Sequence, residues 1–416
     1  MSVPQLSELT RVFARIGILS FGGPAAQIAL MHRELVEERK WLSEETFLRA
    51  LSLCMMLPGP EAMQLATYAG WRMRGTTGGL IAGTLFVLPG AIIISVLVLL
   101  YAAFGDLPVV QAGFAGIKAT VIVIVLQALM RLSGKSLTNT AARLLAAISF
   151  VAVFVFGLPF PLIVALAAAY GALFMTCKTS GDQGSATQNA HPLRTLSIWL
   201  SLWLAPIAVI AISGQLFLFD VAIFFSKLAV VTFGGAYAVL AYMTQAIVSD
   251  YGWITTVQMI DALGLAETTP GPLILVTQFV AMLAGFAQGG VTLSVLAGIT
   301  ALWVTFTPCF LWIFLAGPYL DQIAARPRLS AALDGITAAV VGVILNLALW
   351  FAIHFLFDTV RSVSDLALPF PEWNSLNFDA LILTGLAGIL LLPLKRGLFG
   401  TLWVMALAGV IVDAVI

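Results

Sequence analysis

Two kinds of cluster in this sequence have the composition to hold an anion against backbone: a Gly-Gly pair and a Pro-Gly-Pro triplet. Phe21-Gly22-Gly23-Pro24 is followed by Pro58-Gly59-Pro60, and the pattern returns at an offset of 212 as Phe233-Gly234-Gly235 and Pro270-Gly271-Pro272. A helix that restarts at such a break presents free N–H groups and the positive end of its dipole, which is an anion site by construction. Glycine lets the backbone approach a ligand closely, and Pro60 or Pro272 suits a first helical position, where no N–H is missed. The bland reading is that Gly and Pro mark kinks and close packing in membrane helices. Repetition of both breakers in two halves favours the anion site.

Charged residues near the breaks have their own candidates. Arg15 lies six residues before Phe21 and Lys227 six before Phe233. A cation at the same repeat position suits an oxyanion, and guanidinium offers a planar fork to one; the alternative is snorkelling to headgroups. Lys118 lies inside an apolar span, where Thr337 holds the matching place in the second half. An intramembrane cation is a functional hypothesis by default, with a structural ion pair as its rival. Glu61, directly after the first Pro-Gly-Pro, Glu267, three residues before the second, and Asp334 are candidates for a buried carboxylate that exchanges protons. Glu61 equally suits a helix N-terminus. Gln64 and Gln278 could donate hydrogen bonds to a ligand or join helices. His32, His191 and His354 share no pattern. Cys54, Cys177 and Cys309 have neither ligand spacing nor an even count, so no metal site, disulfide framework or cofactor is expected.

The elements that must position these residues follow from composition. The chain is 61% hydrophobic and 10% charged, with a mean hydropathy of +1.04, against roughly 25% charged in soluble domains. Several apolar stretches exceed the ~20 residues that cross a bilayer core, so an all-α polytopic membrane protein is expected. Met1–Glu8 lacks a basic segment followed by an apolar core, and no cleaved signal peptide is expected. Residues 9–31 are apolar but broken, 32–49 are charged and amphipathic, and 47–57 and 61–71 read as a re-entrant hairpin around Pro-Gly-Pro, closed by Arg72 and Arg74. Spans follow at 77–104, 108–131, 143–157 and 159–175. A polar linker, 177–192, precedes an unmatched span, 195–213. The second copy brings a broken segment at 219–245, a polar stretch at 246–262, a hairpin around 270–272, and spans at 290–317, 332–357, 379–393 and 398–415. The offset of 212 also carries Phe13 onto Phe225, Trp41 onto Trp253 and Ala69 onto Ala281, one gapless register over more than fifty positions. It becomes 219 at Pro89/Pro308 and Gly116/Gly335, placing an insertion of seven between. The expected organisation is a first repeat at 1–176, linker plus unmatched span at 177–216, and a second repeat at 217–416.

Basic residues mark the cytoplasmic side of a membrane chain. Of the 20, 14 fall at or before Arg194. In the first half they cluster at Arg33–Arg49, Arg72/Arg74, Arg131–Arg143 and Lys178/Arg194, while the turns at Gly105-Asp106 and Gly157-Leu158 carry none. In the second half the equivalents of the basic loops are acidic (Asp250, Asp261; Asp358, Asp365, Glu372, Asp379), and the equivalents of the bare turns hold Arg326/Arg328 and Lys395/Arg396. The copies are therefore expected to lie upside down relative to each other, the unmatched span making the flip. Inverted repeats of broken helices are the architecture of secondary transporters, with the site near mid-membrane. The loop charges set topology and are no nucleic-acid footprint.

Ser20-Phe21-Gly22-Gly23-Pro24, the Trp41-Leu42-Ser43 segment, and Leu57-Pro58-Gly59-Pro60 with Gln64 resemble the chromate ion transporter (CHR) family over nearly the whole chain, in its long two-domain form. The resemblance implies a bacterial inner-membrane carrier that exports chromate on the proton-motive force and confers chromate resistance. The second copy departs from the motif: Ala236 replaces Pro24, and at the constant offset Leu273 replaces Glu61 and Val276 replaces Gln64. The expected substrate-binding set is Arg15, Phe21, Gly22, Gly23, Pro24, Pro58, Gly59, Pro60, Gln64, Lys118, Lys227, Gly234, Gly235, Pro270, Gly271 and Pro272, with Glu61, Glu267 and Asp334 for protons. Expected partners are the oxyanion, protons and the lipid bilayer, with a homodimer as an open option. Sulfate or another tetrahedral oxyanion is the alternative substrate, and a passive anion channel the alternative mechanism. A membrane-embedded enzyme would need a clustered nucleophile and base or metal ligands at one depth, and the sequence offers none.

Overall fold

Helices dominate the computed structural model, which describes residues 4–175, 191–233, 236–320, 326–362 and 369–415. In chain order they are α1 (Leu6–Leu19), α2 (Gly23–His32), α3 (Glu44–Met56), α4 (Glu61–Phe104), α5 (Pro108–Ser136), α6 (Thr140–Phe154), α7 (Phe160–Phe174), α8 (Pro192–Ile212), α9 (Leu216–Val231), α10 (Ala236–Gln245), α11 (Thr256–Thr268), α12 (Val276–Ala316), α13 (Pro327–Leu356), α14 (Phe378–Leu391) and α15 (Leu398–Val415). Five segments, those of α4, α5, α8, α12 and α13, are long and apolar enough to cross a membrane, and α6, α7, α14 and α15 are shorter apolar helices. The protein is an all-α polytopic membrane protein.

The chain forms two compact units. One comprises Met1–Leu99, Cys177–Ala236 and Thr269–Ser330; the other comprises Leu100–Thr176, Tyr237–Thr268 and Ala331–Ile416. Each unit therefore draws on both halves of the sequence repeat.

In the first unit the longest helices are hairpins. At Arg74-Gly75 the backbone leaves helical geometry (Gly75 φ 63°, ψ −158°), so arm 61–73 folds back on arm 76–104. Glycines line the seam: a Cβ on Gly70 would sit 2.2 Å from the Gly78 carbonyl oxygen, and one on Gly83 would meet Thr67 Oγ1 at 2.3 Å. In α12, Gly289-Gly290 makes the same reversal (Gly290 φ 67°, ψ −159°), and Gly298 lies against Met282. The unmatched span α8 is tied in by its tryptophans: Trp199 stacks on Phe310 and Trp203 Nε1 donates to Ser226 Oγ at 3.2 Å.

The matching turns correct the sequence register. The helix after the first Pro-Gly-Pro starts at Glu61, but in the second copy a 3-10 turn, Leu273–Leu275, comes first and the helix starts at Val276. Those starts differ by 215, as do Gly75 and Gly290. Val276, not Leu273, thus stands where Glu61 does, and Phe279 where Gln64 does. The insertion of seven is split, three residues in this turn and four beyond Gly298. Apolar residues on both sides of the turn hid the slip.

In the second unit α5 packs along α15, where a Cβ on Gly116 would lie 1.7 Å from the Met405 carbonyl oxygen. Ala119, Val123 and Ile124 of α5 form a buried cluster with Leu383, Ala387 and Leu391 of α14 and Met405 of α15. Two sequence readings change here. Residues 246–262 are not one polar loop: after a π-helical turn at Ala246–Asp250, α11 begins at Thr256 and carries Asp261 fully buried. The 358–379 loop holds a two-stranded antiparallel ribbon, Val360–Ser362 with Pro369–Pro371.

The φ/ψ of Gly75 and Gly290 belongs to a region that only glycine occupies freely, and a Cβ on either would touch nothing within 4 Å. Gly75→Ala and Gly290→Ala should each cost about 1–3 kcal/mol through backbone strain alone. Gly134→Ala, in open space on α5, should be neutral or stabilising by up to about 1 kcal/mol. Thermal unfolding of the detergent-purified variants checks both.

Candidate functional site

The two breaks of the first unit are built from each other. α1 ends at Leu19 and α2 begins at Gly23; α9 ends at Val231. The carbonyls left open by those endings are taken by the Pro-Gly-Pro loops, each from the opposite copy. Gly271 N–H donates to the Ser20 carbonyl at 2.9 Å, and Gly59 N–H donates to the Thr232 carbonyl at 2.8 Å. Ser20 and Thr232 are equivalent at an offset of 212, as are Gly59 and Gly271, so the two bonds are a reciprocal pair. Both hydroxyls fold back onto their own helices, Ser20 to the Ile16 carbonyl and Thr232 to the Leu228 carbonyl, each at 2.6 Å. The second Pro-Gly-Pro rests on Gly90 of α4, where a Cβ would lie 2.1 Å from the Pro270 carbonyl oxygen. The first lies beside Cys309 of α12.

Side chains then differentiate the halves. Gln27 is buried and its Nε2 donates to the Gly271 carbonyl at 2.7 Å and to the Ser20 carbonyl at 3.3 Å; Val239 takes its place in the second copy. Gln64 Nε2 donates to the Pro58 carbonyl at 2.7 Å, bracing the loop before its own helix. Gln278 instead joins the two hairpins, donating to the Ala91 carbonyl at 3.0 Å and to Ser95 Oγ at 2.8 Å. Exposure differs little between equivalent positions: Phe21 is exposed where Phe233 is half-buried, Pro58 is half-buried where Pro270 is buried, and Gly59, Pro60, Gly271 and Pro272 are all buried.

For an anion the important groups are donors that the protein leaves open. Gly59 and Gly271 N–H are committed to carbonyls. At the start of α2, Gly22 and Gly23 hold φ of 85° and 78°. Among the described residues no protein acceptor takes the Gly22, Gly23 or Ala25 N–H; Pro24 has none to offer. Gly234 and Gly235 lie outside the described residues.

Arg15 is exposed and its Nη1 lies 3.6 Å from Glu34 Oε1. Glu34 is fully buried and is also bound by Arg39, so the carboxylate keeps a cation whether or not Arg15 stays. Lys227, the repeat equivalent of Arg15, is exposed, and among the described residues no carboxylate pairs with it; Ala246 stands where Glu34 does. Glu61 is half-buried at the N-terminus of its helix, and Asp334 is exposed.

The remaining candidates belong to the second unit. Lys118 Nζ lies 3.4 Å from Asp261 Oδ1, and Tyr101 OH donates to Asp261 Oδ2 at 2.8 Å. Glu267 accepts from Tyr237 OH at 2.6 Å. Sequence reasoning missed Gln27, Asp261, Tyr101 and Tyr237; a single charge in the apolar run Met259–Ala266 was the available signal for Asp261.

Outside the spans, α2 ends in a charged bend. A π-helical turn, Arg33–Glu38, is closed by Trp41 N–H on the Leu35 carbonyl, and Trp253 N–H on the Ile247 carbonyl makes the same closure in the second copy. His32 bridges two acids: Nε2 to Glu44 at 2.6 Å and Nδ1 to Glu37 at 2.9 Å, with the Phe47 ring at its edge. The hydrogen bond to Glu44 raises the imidazole pKa above its ordinary value; burial, the next largest effect, opposes it, and the charges of Glu44 and Glu37 with the Glu37 hydrogen bond add to the rise. A raised folded-state pKa means this contribution is complete below the unfolded value of about 6.5 and is lost as pH rises through the folded value. The gap in melting temperature between the natural chain and His32→Gln should be largest below about pH 6.5 and shrink as pH is raised from there into the alkaline range. A constant gap over that window would contradict the bridge.

Comparison with known proteins places these features in a family. A family model described as Chromate transporter matches residues 7–172 and 219–412. A chromate transport protein of Pseudomonas aeruginosa is 32% identical over 408 residues, covering 94% of this chain and 93% of the relative. A chromate transport protein of Cupriavidus metallidurans is 30% identical over 357 residues, 85% of this chain and 84% of the relative. A probable chromate transport protein of Synechococcus elongatus is 30% identical over 369 residues, 89% of this chain and 90% of the relative. No solved structure matches.

Proposed function

Because the chain belongs to the chromate transporter family, we propose that it carries chromate outward across the bacterial inner membrane, driven by the proton-motive force, and so confers chromate resistance. The observation that carries this reading is the start of α2, where consecutive glycines hold positive φ and no acceptor among the described residues takes their N–H groups. Such a terminus attracts a dianion through its dipole and its donors. Arg15, on the preceding helix, adds a full positive charge whose carboxylate partner among the described residues is shared with Arg39. The repeat supports alternating access, with the two copies in opposite orientation across the membrane.

The first-copy residues Arg15, Phe21, Gly22, Gly23 and Pro24 are the primary contacts in this proposal. Pro58, Gly59, Pro60 and Gln64, with Pro270, Gly271 and Pro272, form the frame that keeps the break open. Lys227 supplies a second cation. The donors recognise charge and tetrahedral shape rather than the central atom, so sulfate competes at the same site.

Radiolabelled chromate uptake into everted vesicles tests the proposal. Accumulation should rise several-fold with a pH gradient, fall with excess unlabelled sulfate, and drop roughly tenfold in Arg15→Ala, the size of one charge-assisted hydrogen bond. Flux that ignores the gradient would identify a channel. Sulfate movement without chromate movement would overturn the substrate.

A further inference from the structure

The second unit holds an ion pair that the fold has no need of twice. Lys118 sits on α5 with its side chain 11% exposed, and Asp261 on α11 is 0% exposed. The carboxylate is held on one side by the Tyr101 hydroxyl and on the other by the ammonium; Asp261 Oδ1 takes no hydrogen bond among the described residues. Close packing makes this juxtaposition specific. Gly264, one turn beyond Asp261, lets α11 approach α5 so tightly that a Cβ there would lie 2.4 Å from Ile117 Cγ2, beside Lys118. The repeat builds the matching positions without a buried charge. Thr337 replaces Lys118 and bonds the Leu333 carbonyl; Arg49 replaces Asp261 and makes an exposed pair with Glu45.

Removing one member of a buried pair leaves an uncompensated charge and is strongly destabilising. Asp261 is therefore either ionised and paired with Lys118 or neutral with its proton, and the two states differ by one charge in a dry environment. The other ionisable groups around it keep their own partners or distance. Glu267, on the same helix, is held by Tyr237. Arg131 acts on Tyr237, and Asp106 acts on Tyr101. None of these supplies a second cation to Asp261.

We propose that Lys118, Asp261 and Tyr101 form the proton-exchange element of the transporter: in one state the Asp261 carboxylate neutralises Lys118, and in the other it carries a proton and keeps the Tyr101 hydroxyl as its hydrogen-bond partner. The proton comes from and returns to water, with no other bond made or broken. Release of Lys118 is the electrostatic change that a conformational equilibrium can follow. The inference rests on the proton-coupled carrier reading and names the carboxylate behind it. It also selects against exposed Asp334, which has no cation to release among the described residues.

Full-length protein in proteoliposomes tests it through a ratio: chromate flux with a pH gradient over flux at symmetric pH. The ratio should fall to unity in Asp261→Asn and survive in Asp261→Glu. Lys118→Met/Asp261→Asn leaves no buried charge unpaired and carries the same test if the single variant fails to reach the membrane; its ratio should also be unity. In weakly buffered detergent solution a pH dye should register proton exchange on chromate addition to the natural chain and none in Asp261→Asn. A natural-chain response retained in Asp261→Asn or in the double variant overturns this element alone. A natural chain with a ratio of unity overturns both it and the proton-coupled reading.

Discussion

Two backbone hydrogen bonds, Gly59 N–H to the Thr232 carbonyl and Gly271 N–H to the Ser20 carbonyl, are the constraint on which the first unit depends. An unpaired peptide group in hydrocarbon costs several kcal/mol, so non-helical backbone at membrane depth must find partners within the protein. Here each break is the other copy's partner. The carbonyl exposed by ending one helix accepts from the loop that begins the hairpin of the opposite copy. Neither break can close into continuous helix without orphaning the other. That mutual dependence keeps α2 starting at Gly23 in a sequence where a continuous apolar helix would otherwise be favoured.

The same scaffold is then made unequal by side chains. Gln27 adds donors to the Ser20 and Gly271 carbonyls, while Val239 adds none at the matching position. Glu34 gathers Arg15 and Arg39, while Ala246 stands at the matching position and no carboxylate among the described residues pairs with Lys227. At the breaks themselves the equivalent positions differ little: Phe21 is exposed where Phe233 is half-buried, and Pro58 is half-buried where Pro270 is buried. In the second unit the asymmetry runs the other way, since the buried acids Asp261 and Glu267 come from the second copy and have the equivalents Arg49 and Met55 in the first.

Breaks and spans were legible because both are written in residue types: a Gly-Gly or Pro-Gly-Pro cluster cannot pass for helix, and 20 apolar residues in water cannot pass for surface. Register was not legible after Pro272. Leu273-Ile274-Leu275 forms a 3-10 turn, but three apolar residues inside an apolar run leave the pattern unchanged, and Ala69 meeting Ala281 was coincidence. The role of Asp261 was hidden for the opposite reason. A lone acid next to a polar stretch reads as a loop charge, and only the approach of α11 to α5 through Gly264 reveals Lys118 as its partner. The reciprocal hydrogen bonds have no side-chain signature, being made by main chain alone.

The central claim is that the start of α2, with N–H groups that no acceptor among the described residues takes, binds a tetrahedral oxyanion. Equilibrium dialysis of labelled chromate against the detergent-purified protein, compared with Gly22→Val/Gly23→Val, tests it most directly. Valine at positive φ forces the N–H groups out of their present direction, so binding displaceable by excess unlabelled chromate should be present in the natural chain and lost in a variant that still unfolds cooperatively. Equal binding by a folded variant would contradict the account and move the site elsewhere in the chain.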